Sequence, residues 1–170
     1  MDLLEEIRVQ YQPKVEDVEE INIETGPVAF TSAGIVDPKI GVEGKFSLRF
    51  LAALSLSEGN VILDKFTDEK VNDPILIRLR KKVNATLVRE LGLGARVAVR
   101  MKDGTIYRGS SEAPKGDPAN PMSFDEIEEK FRNNVRRVLP KQNLDLALER
   151  VKNLERLSEL PELLTLLQRS

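Results

Sequence analysis

The stretch Gly41-Val-Glu-Gly-Lys-Phe-Ser47 sets two glycines, a lysine and a hydroxyl ahead of a strongly apolar run. Those residue types can cradle a phosphate. A loop built for that purpose places four residues between its glycines, because an arc of backbone N–H groups must wrap the phosphates before Lys and Ser or Thr reach the nucleotide and its metal. Here only Val42 and Glu43 intervene, Phe46 separates the lysine from the serine, and Glu43 puts a negative charge inside the arc. The spacing argues against a nucleotide. What remains is Lys45 and Ser47 at the start of a helix, where free amides and the helix dipole favour an anion and a lysine adds a full charge. They are the candidate substrate-binding residues, for a carboxylate. The plainer alternative is that Ser47 caps the helix and Lys45 is solvated.

Other chemistry is thinner. With neither cysteine nor histidine in 170 residues, disulfides, the usual zinc and haem ligand sets and His-dependent nucleophilic sites are all excluded. Any metal would have to be held by oxygen, and no metal set or catalytic residue is read from the chain. Lys115-Gly-Asp117 offers one carboxylate and one lysine, too few for an oxygen cage, and reads as turn chemistry. The basic run Arg78, Arg80, Lys81, Lys82 reads as a solvated helix face, with no aromatic ladder for single-stranded nucleic acid. Glu126, Glu128, Glu129, Lys130 and Arg132 read as alternating charges on an exposed helix.

A net charge of −2, with 41% hydrophobic and 32% charged residues, describes one ordinary domain over 1–170 and implies neither nucleic acid nor membrane as partner. The acidic, amphipathic start MDLLEEIRVQYQ is not a signal peptide, and no run reaches the roughly 18 apolar residues of a membrane span, so a cytoplasmic location is expected.

The elements that must position these residues follow from periodicity. Leu3, Leu4, Ile7 and Tyr11 predict a helix that Pro13 closes; Val18 to Glu24 alternates as a strand, with Ile21 and Ile23 on one face. Residues 27–44 read as a long crossing loop, whose Val28, Phe30, Ile35, Val36 and Ile40 are a candidate partner surface. From Lys45, Phe46, Phe50, Leu51, Leu54 and Leu56 keep the run largely apolar around the turn, which predicts a buried helix stopped by Gly59. Asp73-Pro74 starts another, with Ile75, Leu76, Leu79 and Val83 on its apolar side. Ala95–Met101 and Thr105–Ser110 form a hairpin across Asp103-Gly104. Ser123 and Glu126 have capping-box spacing for a helix carrying Ile127, Phe131, Val135 and Val138. A helix over 143–157 bearing Leu146, Leu148, Val151 and Leu154, and a short one at PELLTLLQ, complete an α+β domain whose helices cover a small mixed sheet.

Three segments, EGKFSLRFLAALSLSEGNVILDKFTDEKVNDPILIRLRKKV, VAVRMKDGTIYRG with the following PKGDPANPMSFDEIEEKF, and VKNLERLSELPELLTLL, resemble in order and spacing the C-terminal domain of the MmgE/PrpD family. That family includes 2-methylcitrate dehydratases, cis-aconitate decarboxylases and iminodisuccinate epimerases. The resemblance implies the smaller α+β lid domain, which closes a substrate cleft with an all-helical domain. It also implies a cofactor-independent lyase or isomerase chemistry on small di- or tricarboxylates, in which a proton moves next to a carboxylate. Met1-Asp2-Leu3-Leu4 falls where the family has an Ile-Asp pair just after a lid lysine and histidine, so the helical domain and that histidine are expected to be absent from this chain. The lid half alone is then expected to be inactive, with the helical domain and a small carboxylate as partners and a homo-oligomer as an open alternative. A free-standing binding or regulatory module for an acid metabolite or a protein is the alternative.

Overall fold

Leu3, Leu4 and Ile7 are buried on one side of α1 (Asp2–Tyr11), which ends where Gln12 turns left-handed just ahead of Pro13. In the computed structural model, which describes residues 1–168, the chain forms two compact units, 1–121 and the residues from 122 on.

In the first unit, β1 (Val18–Thr25), β2 (Val83–Leu87), β3 (Ala95–Met101) and β4 (Ile106–Ser111) make one sheet in the order β2-β1-β3-β4. β2 is parallel to β1, and the other pairs are antiparallel. A register shift between Val18 and Glu20 puts two glutamates where one residue is expected, so Val18 and Ile21 both face the core although three positions apart. The hairpin turns as expected: Gly104, at φ 87°, donates to the Met101 carbonyl, and Asp103 accepts from the Thr105 amide at 2.9 Å.

One face of the sheet is dry. Val18, Ile21, Ile23, Val83, Val97, Val99 and Met101 pack there with Leu3, Leu4 and Ile7 of α1 and with the buried residues of α4 (Leu48–Glu58). The other face, with Asn22, Asn84, Arg96, Arg100 and Arg108, is exposed. This alternation is what a sheet covered on one face requires.

The crossing segment is more structured than a loop. α2 (Pro27–Ser32) starts at Pro27, α3 (Gly41–Gly44) is a single turn, and Pro38 between them is fully buried. The expectation that Arg80 is solvated also fails. α5 (Asp68–Val71) and α6 (Pro74–Arg80) bring its side chain to 5% exposure, where it donates to the carbonyls of Pro38 at 3.2 Å and Val71 at 3.1 Å and pairs with Asp37 at 2.5 Å. Three otherwise unrelated segments are thus held by one guanidinium. Val83, expected on the helix, opens β2 instead: it continues the i+4 spacing from Leu79, but its partner Ile21 lies about sixty residues earlier in the chain, where local periodicity gives no signal.

In the second unit, α7 (Phe124–Val135) begins with the full capping box of Ser123 and Glu126. α8 (Lys141–Lys152) and α9 (Leu160–Leu166) follow. Arg132 bridges Glu128 at 2.9 Å and Asp145, and Lys152 reaches Glu128, so ion pairs link α7 to α8. The buried side of α8 is Leu144, Ala147 and Leu148. Of the four residues expected there, Leu146, Val151 and Leu154 are exposed, because the leucines occupy two sides of the helix and the fold buries the other one. On α7, Phe131 and Val135 are half-buried, whereas Ile127 is exposed.

Arg80→Leu should lower the unfolding free energy by about 2–4 kcal/mol in urea titrations, since two buried carbonyls lose their donor. Asp37→Asn should cost far less, because Asp37 is open to water. Glu58, at the end of α4, supplies a pH test. Partial burial pushes its carboxyl up, but hydrogen bonds from Lys70 and Lys65 together outweigh this and hold it below its ordinary 4.5. Its contribution to stability is therefore complete above that ordinary value and is lost as the pH falls through the lowered one. Glu58→Gln should flatten the acid-side fall of Tm in calorimetry below pH 4.5; an unchanged profile would remove Glu58 from the account.

Candidate active-site cavity

The GVEGKFS stretch is a packing device. A Cβ on Gly41 would lie 2.2 Å from the Phe66 carbonyl oxygen, and one on Gly44 would lie 2.9 Å from the Phe50 ring. Both glycines are there because backbone and ring come too close for any side chain. The Gly41 amide is taken by Asp68 at 2.7 Å, which leaves it unavailable to a phosphate. Ser47 is fully buried and caps α4, accepting from the Phe50 amide at 3.2 Å. Lys45 is exposed, with its Nζ 5.7 Å from the centre of the Phe66 ring.

A cavity of about 300 Å³ lies elsewhere in the first unit, where α1 and α4 begin. Leu3, Leu4, Leu48, Leu51 and Val97 form its apolar lining, and neither Lys45 nor Ser47 reaches it. The two helices run in the same sense, since Arg8 and Glu5 further along α1 bind Ser57 and Asn60 at the far end of α4. Both positive helix ends therefore open on the cavity, and no side chain caps α1. Its rim is polar: Lys115, Asn120, Asp2 and Glu6 contribute.

The rim is held by the PKGDP loop. Gly116 donates to the Asn120 carbonyl at 2.8 Å, Asp117 accepts from the Ala119 amide at 2.9 Å, and the Asn120 amide group donates to the Ala113 carbonyl at 3.1 Å. Reading Lys115-Gly-Asp117 as turn chemistry was right for Asp117 but missed that the turn delivers Lys115 to a cavity. The Lys115 backbone N–H lies 3.4 Å from Asp2, tying the loop to the start of α1. The arrangement can hold one carboxylate against the helix ends and Lys115, while Asp2 and Glu6 repel a second negative charge next to α1. Among the described residues no group of three or more carboxylates could hold a metal ion, and no helix is long and apolar enough to cross a membrane.

The profile of the MmgE/PrpD C-terminal domain matches residues 1–155. The chain belongs to that family. The match runs through both compact units, so the family's domain comprises the cavity and the α7–α8 helices together. Human cis-aconitate decarboxylase is 29% identical over 131 residues, 74% of this chain and 27% of that protein. The mouse protein of the same name is 27% identical over the same length. The cis-aconitate decarboxylase-like protein oryM of Aspergillus oryzae is 29% identical over 136 residues, covering 76% of this chain and 28% of its own length. This MmgE/PrpD domain spans about a quarter of the relatives it matches.

Gly41→Ala should destabilise the MmgE/PrpD domain by about 1–3 kcal/mol in chemical denaturation, the usual cost of forcing extra volume into a packed site. Added ATP should leave the parent's Tm where it is. A Tm rise with ATP that the substitution abolishes would restore the phosphate reading.

Proposed function

We propose that this domain is the lid half of a cofactor-independent lyase or isomerase acting on small di- or tricarboxylates, and that it completes its cleft with an all-helical domain outside these 170 residues. The observation that carries the reading is the cavity at the paired starts of α1 and α4, with Lys115 on its rim, in a member of this family. In this reading one substrate carboxylate lies against the helix ends and Lys115. The apolar lining takes the carbon chain, and the remaining carboxylates point away from Asp2 and Glu6. Cations for those carboxylates, and the groups that move the proton beside one of them, come from the helical domain. Ser47 serves by fixing the first turn of α4. Lys45, exposed on the turn before it, is proposed to face substrate or partner in the complete enzyme. The exposed Val28, Val36 and Ile40 belong to the proposed contact surface.

This half alone should not turn over, since acid–base work needs groups within hydrogen-bond reach on both sides of the substrate. NMR assays of cis-aconitate, methylcitrate and iminodisuccinate should show no product with the 170-residue chain and product once the helical domain is added. Turnover by the chain alone, in proportion to its concentration, would falsify the half-site. In the complete enzyme, Lys115→Ala should raise KM about tenfold, the loss of roughly one charge-assisted contact. Lys45→Ala should leave the Tm of the lid nearly unchanged or slightly higher, because a lysine at a helix start opposes the dipole. A Lys115→Ala enzyme with parental kcat and KM would move the substrate out of this cavity.

A further inference from the structure

The open face of the sheet carries its charges in three rows across the strands. The first row is Glu24–Arg96–Ser110, the second Asn22–Ala98–Arg108, and the third Glu20–Arg100–Ile106. In the first and third rows each arginine meets a glutamate on β1: Arg96 pairs with Glu24 at 3.3 Å, and Arg100 pairs with Glu19 at 3.2 Å and with Glu20. The middle row has no carboxylate. The Arg108 side chain makes no hydrogen bond or ion pair among the described residues.

The same row has its smallest side chain in the centre. Ala98 floors a hollow of about 520 Å³ whose walls include Asn22, Arg96, Arg108 and Ser110, with Glu24 on the β1 side. Arg96 and Arg100 stand diagonal to Arg108 across β3 and β4, a spacing of about 7–8 Å that long side chains bridge. Around Ala98, therefore, lie the guanidiniums of Arg96 and Arg108, an amide and a hydroxyl, and the nearest glutamates, Glu24 and Glu20, are already committed to Arg96 and Arg100. A planar guanidinium free of a partner presents parallel N–H donors to two oxygens at once.

We propose that this hollow is a second site, separate from the cavity on the covered side of the sheet, that binds a small free oxyanion of the carboxylate or phosphate class through Arg108. Arg108 forms the paired hydrogen bonds. Asn22 and Ser110 donate from the sides, and the short Ala98 side chain leaves room for the anion to settle between the strands. The proposal does not depend on the lid-half reading, because of these residues only Ser110 also borders the α1–α4 cavity.

The test is a titration of the 170-residue chain with inorganic phosphate and, separately, succinate, at ionic strength held constant with chloride, following the Arg108 side-chain N–H resonance by NMR. A saturable shift with either probe is expected, and the probe that binds more tightly identifies the class. Arg108→Gln, followed through neighbouring backbone amides, should weaken binding at least about tenfold. Ala98→Leu, which keeps all three arginines but fills the hollow, should do the same. Lys115→Ala should leave it unchanged. The site is overturned if neither probe gives a saturable shift, if Ala98→Leu binds as the parent does, or if Lys115→Ala abolishes the effect.

Discussion

Everything in the first unit is arranged around one demand: the middle of α4 is buried on all sides. Phe50 through Leu56 are buried without a break, and a helix of that kind is stable only when it is enclosed on every side. α1, α6 and the dry face of the sheet supply the enclosure. The demand reaches the preceding turn as well, where Gly41 and Gly44 let the chain pass against Phe66 and under Phe50. Ser47, buried at the start of the helix, accepts from the Phe50 amide and so supplies a cap from within the chain.

Enclosure also explains the use of Arg80. The segment between α2 and α3 has few apolar anchors of its own apart from Pro38, and it must nonetheless be held over α5 and α6. A buried guanidinium satisfies carbonyls from two segments and meets Asp37 at the surface. Its long stem adds packing that a shorter cation could not. The arginine is part of the core.

The cavity is a consequence of the same packing. α1 lies beside α4 in the same sense, and the space at their starts is lined by the end of the sheet, Ala29, Leu93 and the PKGDP loop. The helices, placed for burial, thus leave two positive ends on one apolar space. Two acidic residues on α1 balance them, which suits one carboxylate and disfavours several. Human cis-aconitate decarboxylase is nearly four times as long as the segment that matches, and in the proposed function the remaining charges come from a further domain.

Local chemistry alone determined much of this. Turn residues, caps and apolar spacing marked α1, β1, the hairpin, α6 and the start of α7, because each is decided by neighbours a few residues apart. The same spacing showed that GVEGKFS could not wrap a phosphate. Only the tertiary structure decided the rest. β2 depends on a partner far away in the chain, and Arg80 is identical in sequence terms to the other cations of its run until Pro38 and Val71 come to meet it. The buried side of α8 was a choice between two leucine stripes that the sequence leaves equal. Lys115 looked like a turn lysine because a turn is all that its neighbours encode. That it stands over a cavity depends on where α1, α4 and the sheet leave space, and that is a property of packing between distant elements.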